Sequence, residues 1–215
     1  GIDYTSIKAS ELPTLKYIHC FKINLDQNTL QLAFAKDDLF PAETVKWLAK
    51  RNHALLAVNG GFFTSSWAPI GLRIQHFKKR SFLQPTSWWP IFYIKNNTPY
   101  IINEKDYKPD NDISFAVQGG PRLLRRGVIP SLKPGKAERT ALGITNNNEI
   151  IIAATENWPL STDELAHIFK EKLHCSEAMN LDGGSSTQLY AHINKFQLDI
   201  GSIALITDIV YVTHQ

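Results

Sequence analysis

Residues 161–187 read STDELAHIFKEKLHCSEAMNLDGGSST, and the order of events along that stretch decides the fold class. Ser161, followed three residues later by Glu164, is a capping-box start: the serine side chain accepts from the first turn and the glutamate reaches back. Leu165, Ile168, Phe169 and Leu173 then recur at helical spacing and mark one apolar face. At 178–181 the pattern changes to a short apolar strand, which stops at Asp182 and the pair Gly183-Gly184. The same succession occurs upstream. A helix over 41–52, with Val45, Leu48 and Ala49 on one face and Pro41 in the first turn, precedes an apolar strand over 54–59 and the pair Gly60-Gly61.

The rest of the chain is mostly short strands. Runs at 17–24, 30–35, 70–75, 91–94, 99–102, 115–118, 141–145, 150–155, 187–190 and 209–212 are rich in Ile, Val, Phe, Tyr and Leu and bounded by Gly, Pro, Asn or Asp. Residues 24–29 and 146–148 read as hairpin turns. The expectation is an α+β fold, a single domain over 1–215 with a large mixed β-sheet covered by a few helices.

Composition narrows the function. At 215 residues the chain can bury a substantial core, and 43% hydrophobic with 20% charged residues is ordinary for a folded protein. A net charge of +3, spread evenly, argues against a nucleic-acid partner. The one basic cluster, His76 to Arg80, reads as a solvated turn that could also attract an anion. No apolar run approaches the roughly 18 residues of a membrane span. Cys20 and Cys175 sit in separate apolar contexts, as a disulfide or as two buried thiols, and neither has metal-ligand spacing. The seven histidines show no metal-binding pattern and read as structural or surface residues.

Chemistry concentrates in three stretches built alike: Ala57-Val58-Asn59-Gly60-Gly61-Phe62-Phe63, Ala116-Val117-Gln118-Gly119-Gly120-Pro121-Arg122 and Asn180-Leu181-Asp182-Gly183-Gly184-Ser185-Ser186-Thr187. Each is an apolar strand, an amide or carboxylate, then two glycines. Taken singly, each could be a tight turn; the threefold occurrence points instead to a site where backbone approaches a ligand closely. Ser185, Ser186 and Thr187 supply hydroxyls suited to phosphate or sugar oxygens. Arg139 opens the strand at 141 and can fork onto a phosphate, or else pair with Glu138; Arg122 is a second candidate. Trp67, Trp88 with Trp89, and Trp158 are either core material or faces on which a sugar ring stacks.

The order Asn59-Gly60-Gly61-Phe62-Phe63, Pro69-Ile70-Gly71-Leu72, Gly119-Gly120-Pro121-Arg122, Arg139-Thr140-Ala141-Leu142-Gly143 and Asn180 to Thr187 resembles the phosphodiester glycosidase family over about 54–212. The resemblance implies hydrolysis of a sugar-1-phosphodiester at the anomeric C–O bond, giving free sugar and a phosphomonoester. It also implies a bacterial, periplasmic or secreted setting in envelope or exopolysaccharide metabolism. Breaking that bond develops positive charge on the sugar and negative charge on the leaving phosphate. The residues expected to act are therefore Asp182 as base, nucleophile or oxocarbenium stabiliser, Asn59 orienting it or the sugar, and Glu156 as a second strand-end carboxylate. Arg139, amides near Gly119 and Gly183, and Ser185 and Ser186 are expected to hold phosphate. Gly60, Gly61, Gly120, Arg122, Gly184, Thr187, Trp88 and Trp158 complete the expected substrate contacts. A calcium or magnesium ion on Asp182 and Asn59 is an alternative use of the same oxygens. Two other readings remain: a phosphodiesterase that cuts the P–O bond, and a glycan-binding module without turnover.

Overall fold

A computed structural model describes residues 1–9 and 15–215. Its strands are β1 (Ile2–Lys8), β2 (Tyr17–Ile23), β3 (Asn28–Phe34), β4 (Leu56–Asn59), β5 (Arg73–Gln75), β6 (Lys78–Ser81), β7 (Ile91–Lys95), β8 (Thr98–Ile102), β9 (Ile113–Gln118), β10 (Arg122–Leu124), β11 (Thr140–Thr145), β12 (Ile150–Glu156), β13 (Cys175–Asn180), β14 (Leu189–Ile193), β15 (Phe196–Ile200) and β16 (Asp208–His214). Two α-helices, α1 (Val45–Arg51) and α2 (Thr162–Glu171), join them.

The strands form three sheets rather than one: a six-stranded sheet β1-β2-β12-β11-β13-β10, a five-stranded sheet β15-β14-β4-β16-β3, and a second five-stranded sheet β6-β5-β9-β7-β8. Every strand pairing is antiparallel, which corrects the expectation of one mixed sheet. The reason is instructive. Strand–helix–strand order suggests a parallel pair, and β12 and β13, on either side of α2, do run the same way. Each is nevertheless paired to β11, which lies antiparallel between them. In the same manner β16 lies between β3 and β4, which flank α1.

Alternation along the strands divides the packing into layers. On β12, Ile150, Ile152 and Ala154 face the central core, while Ile151 and Ala153 pack beneath α2 with Leu165, Ala166 and Phe169. On β16, Val210 and Val212 point inward and Ile209 and Tyr211 meet Val45, Leu48 and Ala49 of α1. Strands covered on both faces must be apolar throughout, which is why these runs showed no clean alternation in the sequence. One central cluster takes side chains from all three sheets, Phe21, Val58 and Phe92 among them.

The helix starts follow their caps. Ser161 and Glu164 form the expected capping box, with Glu164 N–H donating to Ser161 Oγ at 3.1 Å and Ser161 N–H to Glu164 Oε2 at 2.7 Å. α1 begins later than Pro41 because Thr44 is its cap, accepting from Trp47 N–H at 3.3 Å. The basic cluster is the β5–β6 hairpin, with His76 and Phe77 at positive φ in its turn. Cys20 and Cys175 are buried free thiols, each pushed up to about 12 by burial. Among the described residues no helix is long and apolar enough to cross a membrane.

Candidate active site

Each glycine-paired segment leaves the end of a strand in a different sheet: Asn59-Gly60-Gly61 follows β4, Gln118-Gly119-Gly120 follows β9, and Asp182-Gly183-Gly184 follows β13. The three ends are stitched together by hydrogen bonds. Asn59 Nδ2 donates to the carbonyl of Asp182 at 2.8 Å and to that of Gly60 at 3.2 Å, while its Oδ1 accepts from Thr140 Oγ1 at 2.6 Å and from Gln188 N–H at 3.3 Å. Asn180 Nδ2 donates to the Gly120 carbonyl at 3.2 Å, and the Asn180 amide donates to Pro121 at 2.9 Å. Gln118 Oε1 accepts from Leu72 and Gln84 amides at 3.0 and 2.9 Å, fixing the segment that carries Trp88 and Trp89. These buried amides are thus clamps between segments.

An ion pair not singled out from the sequence lies beneath the junction. Arg73 Nε donates to Asp208 Oδ2 at 2.8 Å, and both side chains are fully buried. Arg73 Nη1 also donates to the Gln118 carbonyl at 3.1 Å, and Thr207 Oγ1 to Asp208 Oδ1 at 2.8 Å. A Cβ at Gly60 would collide with the Asp208 carboxylate, and one at Gly61 with the Arg73 guanidinium. The Gly60-Gly61 pair therefore exists for close packing on this ion pair. Gly184 is the position of the set that needs a left-handed conformation, at φ 61°.

Asp182 occupies the centre of this arrangement. Its Oδ1 accepts from the Gly183 amide at 2.9 Å. Burial pushes its carboxyl above the ordinary value, with the nearby Asp208 charge adding to the effect; hydrogen bonds from Ser186 and Gly183 and the Arg73 charge oppose it. A half-buried carboxyl on a loop anchored from three sides is held where it can stabilise a developing positive charge or move a proton.

That loop runs alongside Glu138–Thr140: the Gly184 amide donates to the Glu138 carbonyl and the Leu181 amide to the Thr140 carbonyl, both at 2.8 Å. Two clefts flank this ladder. One, of about 410 Å³, takes Arg139, Trp88 and Pro121 into its wall. Arg139 donates from Nε to the Leu160 carbonyl and from Nη2 to the Gly135 carbonyl, both at 2.8 Å. Burial lowers its pKa, no carboxylate offsets that, and it stays cationic as arginine does. The alternative pairing with Glu138 is not made, since Glu138 accepts from Thr155 Oγ1. The other cleft, of about 420 Å³, is walled by Glu138, Glu156, Ser185 and Thr187. Thr187 Oγ1 is buried behind that wall without a hydrogen-bond partner among the described residues. Trp89 Nε1 and Asn180 Oδ1 share that property, and both belong to the same junction.

Other expected contacts are placed differently. Arg122 has all its nitrogens engaged, by Glu177, Asn103 Oδ1 at 2.9 Å, the Ile101 carbonyl at 2.8 Å and the Leu124 carbonyl at 3.0 Å, as a clamp between β8, β10 and β13. Trp158 packs on the cluster beneath α2 and lines a separate groove with Lys8 and His167. Of the glycine amides, Gly119 donates to Pro90 at 3.3 Å and Gly183 to Asp182, so neither points at a ligand. Trp88 is 57% exposed, whereas Trp89 stacks on Phe62 at 4.6 Å, and Trp67 stacks on Phe63 at 5.5 Å. The divalent-ion alternative fits poorly: both polar atoms of Asn59 are engaged, and among the described residues no three His, Cys, Asp or Glu side chains group as metal ligands.

Comparison with known proteins identifies the family and the fold. The family model for phosphodiester glycosidases matches residues 52–213. YigE, an uncharacterized protein of Escherichia coli, is 29% identical over 143 residues, covering 60% of this chain and 55% of YigE, so the chain spans about half the length of that curated relative. Two solved structures share the fold. A hypothetical protein from Synechocystis has a TM-score of 0.72 at 16% identity, over 100% of this chain and 62% of that one. The catalytic domain of zebrafish N-acetylglucosamine-1-phosphodiester alpha-N-acetylglucosaminidase, auto-inhibited by its pro-peptide, has a TM-score of 0.72 at 17% identity, over 100% of this chain and 83% of that one. The family match takes in all three glycine-paired segments and most of the chain, and the chain belongs to the phosphodiester glycosidase family.

Proposed function

We propose that this chain hydrolyses a glycan or small-molecule sugar-1-phosphodiester at the anomeric C–O bond, releasing free sugar and a phosphomonoester. The observation that carries the reading is the Asp182 carboxyl, fixed where three strand ends meet, on a loop whose Gly184 and Ser185 line one cleft and whose neighbouring segment carries Arg139 into the wall of another. The two clefts suit the two halves of such a substrate. Arg139, an arginine whose hydrogen bonds go to carbonyls alone, takes the phosphate. Ser185 and Glu138, in the wall of the other cleft, offer a donor and acceptors to sugar hydroxyls, while Trp88 lies beside Arg139 and gives an aromatic face to the group on the phosphate side. Asp182 then supports the developing oxocarbenium charge, while Glu156 draws a proton from the attacking water. The family resemblance extends the proposal to an exported protein acting in envelope or exopolysaccharide metabolism.

Arg139→Met is expected to lower kcat/KM about 10- to 100-fold, mainly through KM, as the loss of charged hydrogen bonds to phosphate. Stability should change little, because the Leu160 carbonyl keeps its bond from the Ala137 amide. Steady-state kinetics beside a melting curve read both. The function itself is tested on a panel of sugar-1-phosphodiesters with assay of free reducing sugar. Turnover supports the proposal; saturable binding of sugar with no turnover would reject it in favour of a binding module.

A further inference from the structure

Glu156 closes β12 and ends a chain of hydrogen bonds across the sheet whose other two members precede residue 52, outside the family match. β2 lies between β1 and β12, with His19 opposite Ser6 on one side and Ala154 on the other. Two residues along each neighbouring strand, on the same face, stand Tyr4 and Glu156. Tyr4 Oη lies 2.9 Å from His19 Nδ1, and His19 Nε2 lies 2.9 Å from Glu156 Oε2. His19 is 5% exposed, whereas the Glu156 side chain is 33% exposed and borders the cleft with Ser185 and Thr187.

We propose that His19, held by Tyr4, is a positioning residue that aims Glu156 as the base of the reaction; the proposal rests on the glycosidase reading above. The Tyr4 hydroxyl donates to Nδ1, which leaves the imidazole proton on Nε2, where it is donated to Oε2 of the carboxylate. Oε2 is thereby committed, and Oε1, with no hydrogen bond among the described residues, is the oxygen available to water. In the step, one water proton moves to Oε1 and the water oxygen bonds to the anomeric carbon. The C–O bond to phosphate breaks, and its electron pair leaves with the phosphomonoester. His19 neither gains nor loses a proton; it fixes the rotamer and the lone pair. A buried histidine between a surface tyrosine and a cleft carboxylate needs such an explanation, since an apolar residue would fill the same place in the sheet.

Two measurements test it. The first is turnover of a sugar-1-phosphodiester by His19→Leu, His19→Gln and Glu156→Gln. His19→Leu should fold, because Tyr4 and Glu156 both reach solvent and nothing buried loses its partner. Expected is a loss in kcat of roughly tenfold or more for His19→Leu with KM nearly unchanged, and recovery of most of it in His19→Gln, whose Nε2 still donates. Wild-type rates in His19→Leu, with Glu156→Gln inactive, would overturn the proposal and leave the glycosidase reading standing. The second needs no turnover: nitrogen NMR of labelled histidine. The His19 ring should show one tautomer, protonated at Nε2, with the Nδ1 signal moving in Tyr4→Phe and the Nε2 signal in Glu156→Gln. Averaged tautomers indifferent to both changes would overturn the proposal whether or not the protein is a glycosidase.

Discussion

Asp182→Asn should lower kcat/KM by about 10²- to 10⁴-fold while leaving the fold as stable as the wild type or more so. Both halves come from the same burial. The folded carboxyl titrates above its unfolded value, so the favourable contribution of the protonated group is complete below the unfolded pKa and is lost as pH rises through the folded pKa. Above the folded pKa the burial of the charge costs stability, and a neutral amide of the same shape removes that cost. Asparagine keeps a side-chain oxygen to accept from the Gly183 amide, so the loop retains its local bond. Activity requires the ionised form if Asp182 stabilises positive charge. The acid limb of the wild-type pH–rate profile should then lie above the ordinary carboxylate range. Kinetics and chemical denaturation on the same preparations check both statements.

Asp208→Ala should have the largest effect on stability, a loss of about 3–5 kcal/mol, because it strands the fully buried Arg73 charge. The consequence reaches the site. The Gly60 amide donates to the Asp208 carbonyl at 2.8 Å, and the Gly60-Gly61 pair packs directly on the two charged side chains. Asn59, which holds the Asp182 carbonyl, would move with them. Asp208→Asn keeps one side-chain oxygen, which can accept from Arg73 while its NH2 faces the Thr207 hydroxyl, and should lose less. Urea titrations of the two variants separate the missing partner from the missing volume; equal, small losses in both would show that the pair contributes little.

Much of this was legible in the sequence for a simple physical reason: strand and helix periods and Gly-pair stops are local properties. The capping box at Ser161 and both helices were expected from the pattern, although α1 starts at Val45 rather than at Pro41. Pairing was legible only in part. The turn at 146–148 does join β11 and β12 as a hairpin, but 24–29 does not, since β2 and β3 belong to different sheets, and β16 comes from the far end of the chain to lie between β3 and β4 with no local signal to announce it. β1, β6, β10 and β15 were missed, the last although Phe196, Leu198 and Ile200 alternate along it and pack against the central core. At the site, the three motifs did mark the junction, but the roles of individual side chains depended on partners far along the chain. Asn59 and Gln118 proved to be clamps, and Arg122 a tie to Glu177. Arg73 sits in an ordinary strand and Asp208 opens another; only the third dimension pairs them. His19 likewise has no spacing that distinguishes it from the other histidines.

The most direct test of the proposed chemistry is hydrolysis of a sugar-1-phosphodiester in isotopically labelled water, with mass analysis of both products. Attack at the anomeric carbon, as proposed, puts the label in the released sugar and none in the phosphomonoester. Label in the phosphomonoester, with unlabelled sugar, would mean that water attacks phosphorus, that Arg139 serves a phosphodiesterase, and that the roles given to Asp182 and Glu156 are wrong.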